Sequence, residues 1–237
     1  MLKPFFTYFG GKYRLAPYYP PPQRGLPIIE PFCGSAGYAL RYADFPVVLN
    51  DINPEVSEVW RYLIKVNESE ILRLPLKIET RDSIKACQEA RWLIGFWLNK
   101  GMVSPCNIPS KWMRENDGTK YPIKKFSYWG EGVRARIAGQ LSAIRHWKVF
   151  NLPYQSLTGV ANWFIDPPYS HKPRAYGTEV NYKQLAKWCQ LKTKQVIVCE
   201  REGATWLPFR LFRASKALEG SHGIKISQEA IWCRGVV

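Results

Sequence analysis

The chain has 237 residues, with 34 Lys+Arg against 19 Asp+Glu and a formal net charge of +15. That length can bury a sizeable core in one domain with a small insertion, and the positive excess points to a polyanionic partner without separating DNA from RNA or acidic lipid. Six cysteines without a C-x-x-C pair and only three histidines argue against a disulfide scaffold or a structural zinc site, so no metal is expected. No apolar run suits a signal peptide or a membrane span, and a soluble protein of the reducing cytoplasmic compartment is the expectation.

In chain order, "PIIEPF" (27–32) predicts a short buried strand, and "PVVLND" (46–51) predicts a second that ends at Asp51. A helix is predicted over 53–66. Asn53 can cap it, Pro54 suits its first position, and Val56, Val59, Trp60, Leu63 and Ile64 form one apolar stripe. A further helix is predicted over 82–98. From Lys100 to Lys148 there are ten Lys/Arg, three Asp/Glu and several aromatic residues, and the first part of that stretch is rich in turn residues. It reads as an insertion at 100–132 in a domain made of 1–99 and 133–237. Helical spacing resumes at Val133, Ile137, Leu141 and Ile144. Strands are predicted at 148–152, 162–166, 195–199 and 228–233. Strands alternating with helical segments argue for an α/β fold with a parallel sheet.

Three constellations can carry chemistry. In "EPFCGSAGY" (30–38) small residues follow a strand directly, so backbone can approach a ligand closely. Asp51, at the end of the next strand, could accept hydrogen bonds from ribose hydroxyls, which suits any adenosine cofactor; the full G-x-G-x-x-G spacing of dinucleotide folds is missing. In "TYFGGKYRL" (7–15) a Gly-Gly-Lys invites a phosphate-loop reading, but Phe6 and Tyr13 stand where such a loop needs glycine and a hydroxyl. The third is "NWFIDPPY" (162–169), a strand stopped by an acid and two prolines. An amino group on a nucleobase is a poor nucleophile because its lone pair is delocalised. The Asp166 carboxylate and the Pro167 carbonyl could each accept one of its N–H bonds, Pro168 would stiffen the turn, and Tyr169 offers a stacking face.

Together, and in this order, these motifs resemble the amino-group DNA methyltransferases, most closely the DNA adenine methylase (Dam-like) family. The resemblance runs through about 1–60 and 150–200. It implies a Rossmann-like methyltransferase sheet that uses S-adenosylmethionine, with 100–132 as a small inserted target-recognition region. Tyr8, Gly10, Gly11 and Lys12 would help enclose the cofactor. Glu30, Pro31, Phe32 and Gly34 would lie near its amino-acid end, Asp51 and Ile52 would hold the ribose side, and Asp166 would border it. Asp166 through Tyr169 would hold an adenine flipped from double-stranded DNA for methylation at N6. Lys111, Arg114, Lys124 and Lys125 in the insertion, with Lys172 and Arg174 after the tyrosine, would meet DNA. A solitary, monomeric enzyme is expected.

Two positions depart from the family pattern. Ala36 stands where a second glycine is usual, and Pro153 and Tyr154 follow the third strand where an acid commonly contacts the cofactor's adenine. Among rivals, cytosine C5 chemistry would need a Pro-Cys nucleophile; Pro105 and Cys106 exist, but the companion Glu-Asn-Val is absent. Cytosine N4 methylation uses the same amino chemistry but more often places serine before the two prolines. RNA adenine methylation, or a non-catalytic binder that keeps the fold, are the other readings. Glu200 and Glu202 read as structural.

Overall fold

Seven strands run in the order β3-β2-β1-β4-β5-β7-β6. They are β1 (Ile28–Glu30), β2 (Val47–Asn50), β3 (Lys148–Phe150), β4 (Asn162–Ile165), β5 (Val196–Arg201), β6 (Arg210–Leu218) and β7 (Ile224–Arg234). The computed structural model describes residues 1–115, 128–170, 180–218 and 224–236. The first five strands of that order pair parallel, while β7 is antiparallel to both β5 and β6. This is a Rossmann-like α/β sheet. The chain winds outward from β1 through β2 to β3, then crosses back to place β4 on the other side of β1. Ligands of open α/β sheets bind at such a reversal, beyond the carboxyl ends of the strands.

Successive residues of the central strands serve opposite faces, as strand geometry requires. Ile28, Phe164, Ile197 and Cys199 join the larger core cluster, whereas Ile29, Trp163, Ile165, Val196 and Val198 join the other. Helices α1 (Pro54–Lys65) and α3 (Gln88–Leu98) pack on the first face, and α6 (Tyr182–Gln190) covers the second through Leu185, Trp188 and Cys189. The Asn53 side chain caps α1 by accepting from the Glu55 amide at 3.0 Å.

The helix expected over 82–98 starts only at Gln88. Before it, Ser83 Oγ donates to the Thr80 carbonyl and Thr80 Oγ1 accepts from the Ser83 amide. Hydroxyl side chains that bond nearby backbone compete with helix formation in this way. The spacing from Val133 to Ile144 splits into α5 (Glu131–Ala138) and a single 3-10 turn, Leu141–Ile144, parted at Gly139. Strand β6, α6 and the short helices α2 (Glu68–Arg73) and α4 (Lys111–Glu115) are additions. In β6, "RLFRASKAL", basic residues at 210, 213 and 216 break the two-residue alternation, which an edge strand tolerates.

The described part of 100–132 is bound to the body by backbone. The Cys106 amide donates to the Gly95 carbonyl and the Ser110 amide to the Leu98 carbonyl. Trp129 is buried, and its indole N–H donates to the Pro75 carbonyl at 2.7 Å. Among the described residues no helix is long and apolar enough to cross a membrane.

Candidate active site

Three strand ends build the site, and the N-terminal segment lies over them. Strand β1 ends at Glu30, a carboxyl only 2% exposed whose Oε1 accepts from the Ala39 amide at 2.6 Å. Burial pushes this carboxyl up to about 8, against the pull of that amide. The turn after it passes through left-handed backbone at Gly34 (φ 43°) and at Ala36 (φ 53°). Ala36, where the family pattern has glycine, therefore carries strain that a glycine would not. Gly34 has a second reason to lack a side chain, since a Cβ there would come within 2.7 Å of Tyr8 Cδ1. At Gly37 a Cβ would stand 2.5 Å from the Tyr13 backbone nitrogen and 2.8 Å from the Lys12 carbonyl carbon. The 8–13 segment thus rests directly on the turn. From below, the Trp60 indole on α1 donates to the Gly34 carbonyl at 2.8 Å.

The end of β2 supplies a pair of buried polar residues. Asp51 Oδ2 accepts from the Gly34 amide at 2.9 Å and Oδ1 from the Asn53 amide at 3.0 Å, so one carboxylate joins the first turn to the start of α1. Burial pushes it up to about 6 despite both amides. The Cys33 thiol also approaches Oδ2 at 4.0 Å, while Oδ1 keeps a further lone pair for a ligand hydroxyl. Asn50 is satisfied at both ends of its amide: it donates to the Pro31 and Leu152 carbonyls, each at 3.0 Å, and accepts from the Leu152 amide at 3.0 Å. It thereby sets the loop after β3 beside the loop after β1.

Beyond β4, Asp166 Oδ1 lies 2.9 Å from Lys12 Nζ, which also donates to the Gly10 carbonyl at 2.9 Å. The same ammonium stands 4.8 Å from the centre of the Tyr169 ring. Burial raises the Asp166 carboxyl to about 6; Lys12 pulls it down, while Glu229 and Glu200 push it up. For Lys12 burial acts downward, but the charges of Asp166 and Glu229 outweigh it and hold the ammonium above its ordinary range. The rest of the segment is clamped. Tyr182 on α6 donates to the Pro168 carbonyl at 2.8 Å, the Tyr169 hydroxyl donates to Glu229 Oε2, and the Ser170 amide donates to Glu200 Oε2 at 3.0 Å. Glu200 also accepts from the Arg201 amide and from the Trp206 indole, so its bonds are those of a support.

These groups face one cavity of about 500 Å³. Of the residues singled out in the sequence, Tyr8, Gly10, Gly11, Lys12, Glu30, Pro31, Phe32, Gly34, Asp51, Ile52, Asp166 and Pro168 all line it. Pro167 and Tyr169 are not among its lining residues. Leu152, Pro153, Tyr154 and Gln155 close the side where an acid was looked for, and Asn181 and Gln184 of the α6 start complete the wall. Sequence reading missed Asn50, although it directly precedes Asp51, and it missed Glu229, which lies sixty positions from its partner with no local signature. Away from the cavity lining, Lys111 is exposed and pairs with Glu115 at 3.8 Å, while the Arg114 guanidinium donates to the Pro109 carbonyl. Lys124, Lys125, Lys172 and Arg174 lie outside the described residues. Among the described residues, no cluster of three or more His, Cys, Asp or Glu side chains could hold a metal ion.

The mixed seven-stranded sheet, with β7 antiparallel beside β5, is an α/β fold consistent with a Rossmann-like methyltransferase. Residues 8–92 match the family of D12 class N6 adenine-specific DNA methyltransferases, and by that match the chain is an adenine-specific DNA methyltransferase, with DNA as its substrate. The match ends before Asp166, so the second half of the site stands on the geometry above. A solved structure described as a conserved hypothetical protein of Streptococcus pyogenes is similar over 93% of this chain and 91% of that one, at 13% identity and a TM-score of 0.37. No curated protein matches.

Proposed function

We propose that the cavity binds S-adenosylmethionine, and that the enzyme extrudes an adenine from duplex DNA and methylates its N6 against Asp166. The observation that carries this reading is the single cavity in which the Tyr8–Lys12 segment, the Glu30–Ser35 turn, Asp51 and Asp166 meet. Its size suits a ligand of that class. Its lining carries three carboxyls, Glu30, Asp51 and Asp166, against one lysine, Lys12, which favours a cationic guest. Bound there, S-adenosylmethionine supplies an electrophilic methyl group. Tyr8, Gly10 and Gly11 would cover it, the backbone from Glu30 to Gly34 would face its amino-acid end, and Asp51 with Ile52 would hold its ribose side.

The chain's own residues do the remaining work. Asp166 and the Pro167 carbonyl accept the two N–H bonds of the adenine amino group, which favours a pyramidal nitrogen with its lone pair free to react. Tyr182 occupies the Pro168 carbonyl and so stiffens the backbone that aims the Pro167 one. With its carboxyl near 6, Asp166 is largely ionised at neutral pH and stands ready to take the proton that a cationic amine sheds. Tyr169 stacks on the extruded base and offsets part of the few kcal/mol that extrusion costs. In this reading 1–99 and 133–237 form the catalytic body and 100–132 the target-recognition segment, where Lys111, Arg114, Lys124 and Lys125 meet DNA with Lys172 and Arg174.

The test is transfer from methyl-labelled S-adenosylmethionine to duplex DNA, digestion to nucleosides, and Asp166→Ala in parallel. Label in N6-methyldeoxyadenosine that disappears in the variant supports the reading, with a loss of about a hundredfold or more expected. Label in N4-methyldeoxycytidine would change the base, and label only in RNA would change the substrate. Cofactor binding with no transfer would leave a binding protein on a methyltransferase fold.

A further inference from the structure

We infer that Glu229, on the last strand of the sheet, is a positioning residue that holds the Tyr169 ring in the orientation needed to receive a base; this rests on the reading of Tyr169 as the stacking face. Two prolines before Tyr169 fix its backbone but leave the ring to rotate about its own side-chain bonds. A stacking platform must stand at one angle before the base arrives, or the base has to meet the cost of ordering it. The Tyr169 hydroxyl donates to Glu229 Oε2, which anchors the far end of the ring. Glu229 is 6% exposed, so this is a bond to a buried carboxylate and stronger than a neutral one.

Topology explains why the acid comes from so far along the chain. Strand β7 lies antiparallel to β5, and its register sets Glu229 opposite Arg201 and Ala230 opposite Glu200. Two neighbouring strands therefore present a carboxylate each to consecutive residues, Glu229 to the Tyr169 hydroxyl and Glu200 to the Ser170 amide. The segment is held at its side chain by one and at its backbone by the other. Glu200 is bonded also by its own strand and by Trp206; both carboxylates raise the Asp166 carboxyl, Glu229 more than Glu200.

The test is a cycle of Glu229→Ala, Tyr169→Phe and the double variant in the full chain. Glu229→Gln, which keeps an acceptor, is the conservative control. Readouts are kcat and KM for labelled transfer to duplex DNA, and the dissociation constant for S-adenosylmethionine. Glu229→Ala and Tyr169→Phe should each lower kcat/KM for DNA by about tenfold, the double variant no further, with cofactor affinity unchanged. Glu229→Gln should recover most of the activity, which a merely structural loss would not predict. Effects that multiply in the double variant, or a Glu229→Ala enzyme with unaltered kcat/KM, would overturn the inference while leaving adenine methylation standing. A wild-type protein that transfers nothing would remove the reading of the site and the inference with it.

Discussion

Lys12 Nζ sits 2.9 Å from Asp166 Oδ1, joining the Gly-Gly turn near the N-terminus to the acid beyond β4, more than 150 positions along the chain. Its ammonium has a carboxylate, the Gly10 carbonyl and the Tyr169 ring face around it. Those are the kinds of partner that, in the proposed reaction, the site would offer to an amino group that becomes cationic during methylation. The groups that face Asp166 are Lys12 from this turn, Glu229 from β7 and Glu200 from β5.

The pH dependence of turnover follows from that set. Asp166 has to be ionised to act as acceptor, so kcat/KM should fall on the acid side with a midpoint near its value of about 6. Lys12 holds the carboxyl down; in Lys12→Met the midpoint should move to higher pH. Glu229 pushes it up; in Glu229→Gln the midpoint should move to lower pH. A profile that stays put in both variants would show that another group carries the acid limb.

Asp51 ties two amides, those of Gly34 and Asn53, with one carboxylate. Asp51→Ala leaves both without that acceptor, and hydrogen bonds to a charged group contribute on the order of 1.5–3 kcal/mol. The variant should lose about that much in urea unfolding, and cofactor affinity should fall as well. Affinity unchanged by calorimetry, with stability lowered, would confine Asp51 to holding the turn.

The elements nearest the site were the most legible from sequence, for physical reasons. Asn53, Pro54 and the stripe from Val56 to Leu63 mark α1 locally, and α1 runs Pro54–Lys65. Strands β1, β2, β4 and β5 are buried on both sides, so continuous apolar runs announce them. Twelve of the residues singled out share one cavity: eight stand at or just past the ends of β1, β2 and β4, and Tyr8, Gly10, Gly11 and Lys12 come from the N-terminal segment laid over them. What was hidden depends on contacts between distant segments. The α6 start is polar in sequence and meets the site through Tyr182, Asn181 and Gln184. The Glu229–Tyr169 bond exists because a reversed strand sits beside β5, and nothing in "QEAIWC" marks one glutamate as special.

Gly37 is where the N-terminal segment touches the turn after β1 without space for a methyl group. The atoms in the way are backbone, Tyr13 N and Lys12 C, which cannot rotate aside. Gly37→Ala should therefore push residues 12 and 13 outward, costing about 1–3 kcal/mol as overpacking does. It should also lengthen the Lys12–Asp166 contact, so turnover should fall together with thermal stability. Gly130, whose Cβ would meet, among the described residues, only the Tyr128 carbonyl at 4.0 Å, is the control, and Gly130→Ala should be far milder.

Glu30 offers a test of the cofactor site that needs no DNA. Its carboxyl is pushed up to about 8 by burial, so at pH 7 it is largely protonated in the free protein. A cationic ligand in the cavity favours the ionised form, so binding should release protons from Glu30, and affinity should rise as pH climbs from 6 to 8. Calorimetry at pH 7 in buffers of different ionisation enthalpy should show proton release that Glu30→Gln abolishes. Stability carries the opposite sign. A carboxyl raised on folding favours the folded state fully below its unfolded value of 4.5, and that contribution is lost as pH rises through 8. Free wild-type protein should therefore lose melting temperature relative to Glu30→Gln between pH 5 and 8, and saturating cofactor should restore it. If the two proteins respond alike to pH, the Glu30 carboxyl does not titrate between pH 5 and 8, and any pH dependence of cofactor affinity in that range must come from Asp51 and Asp166.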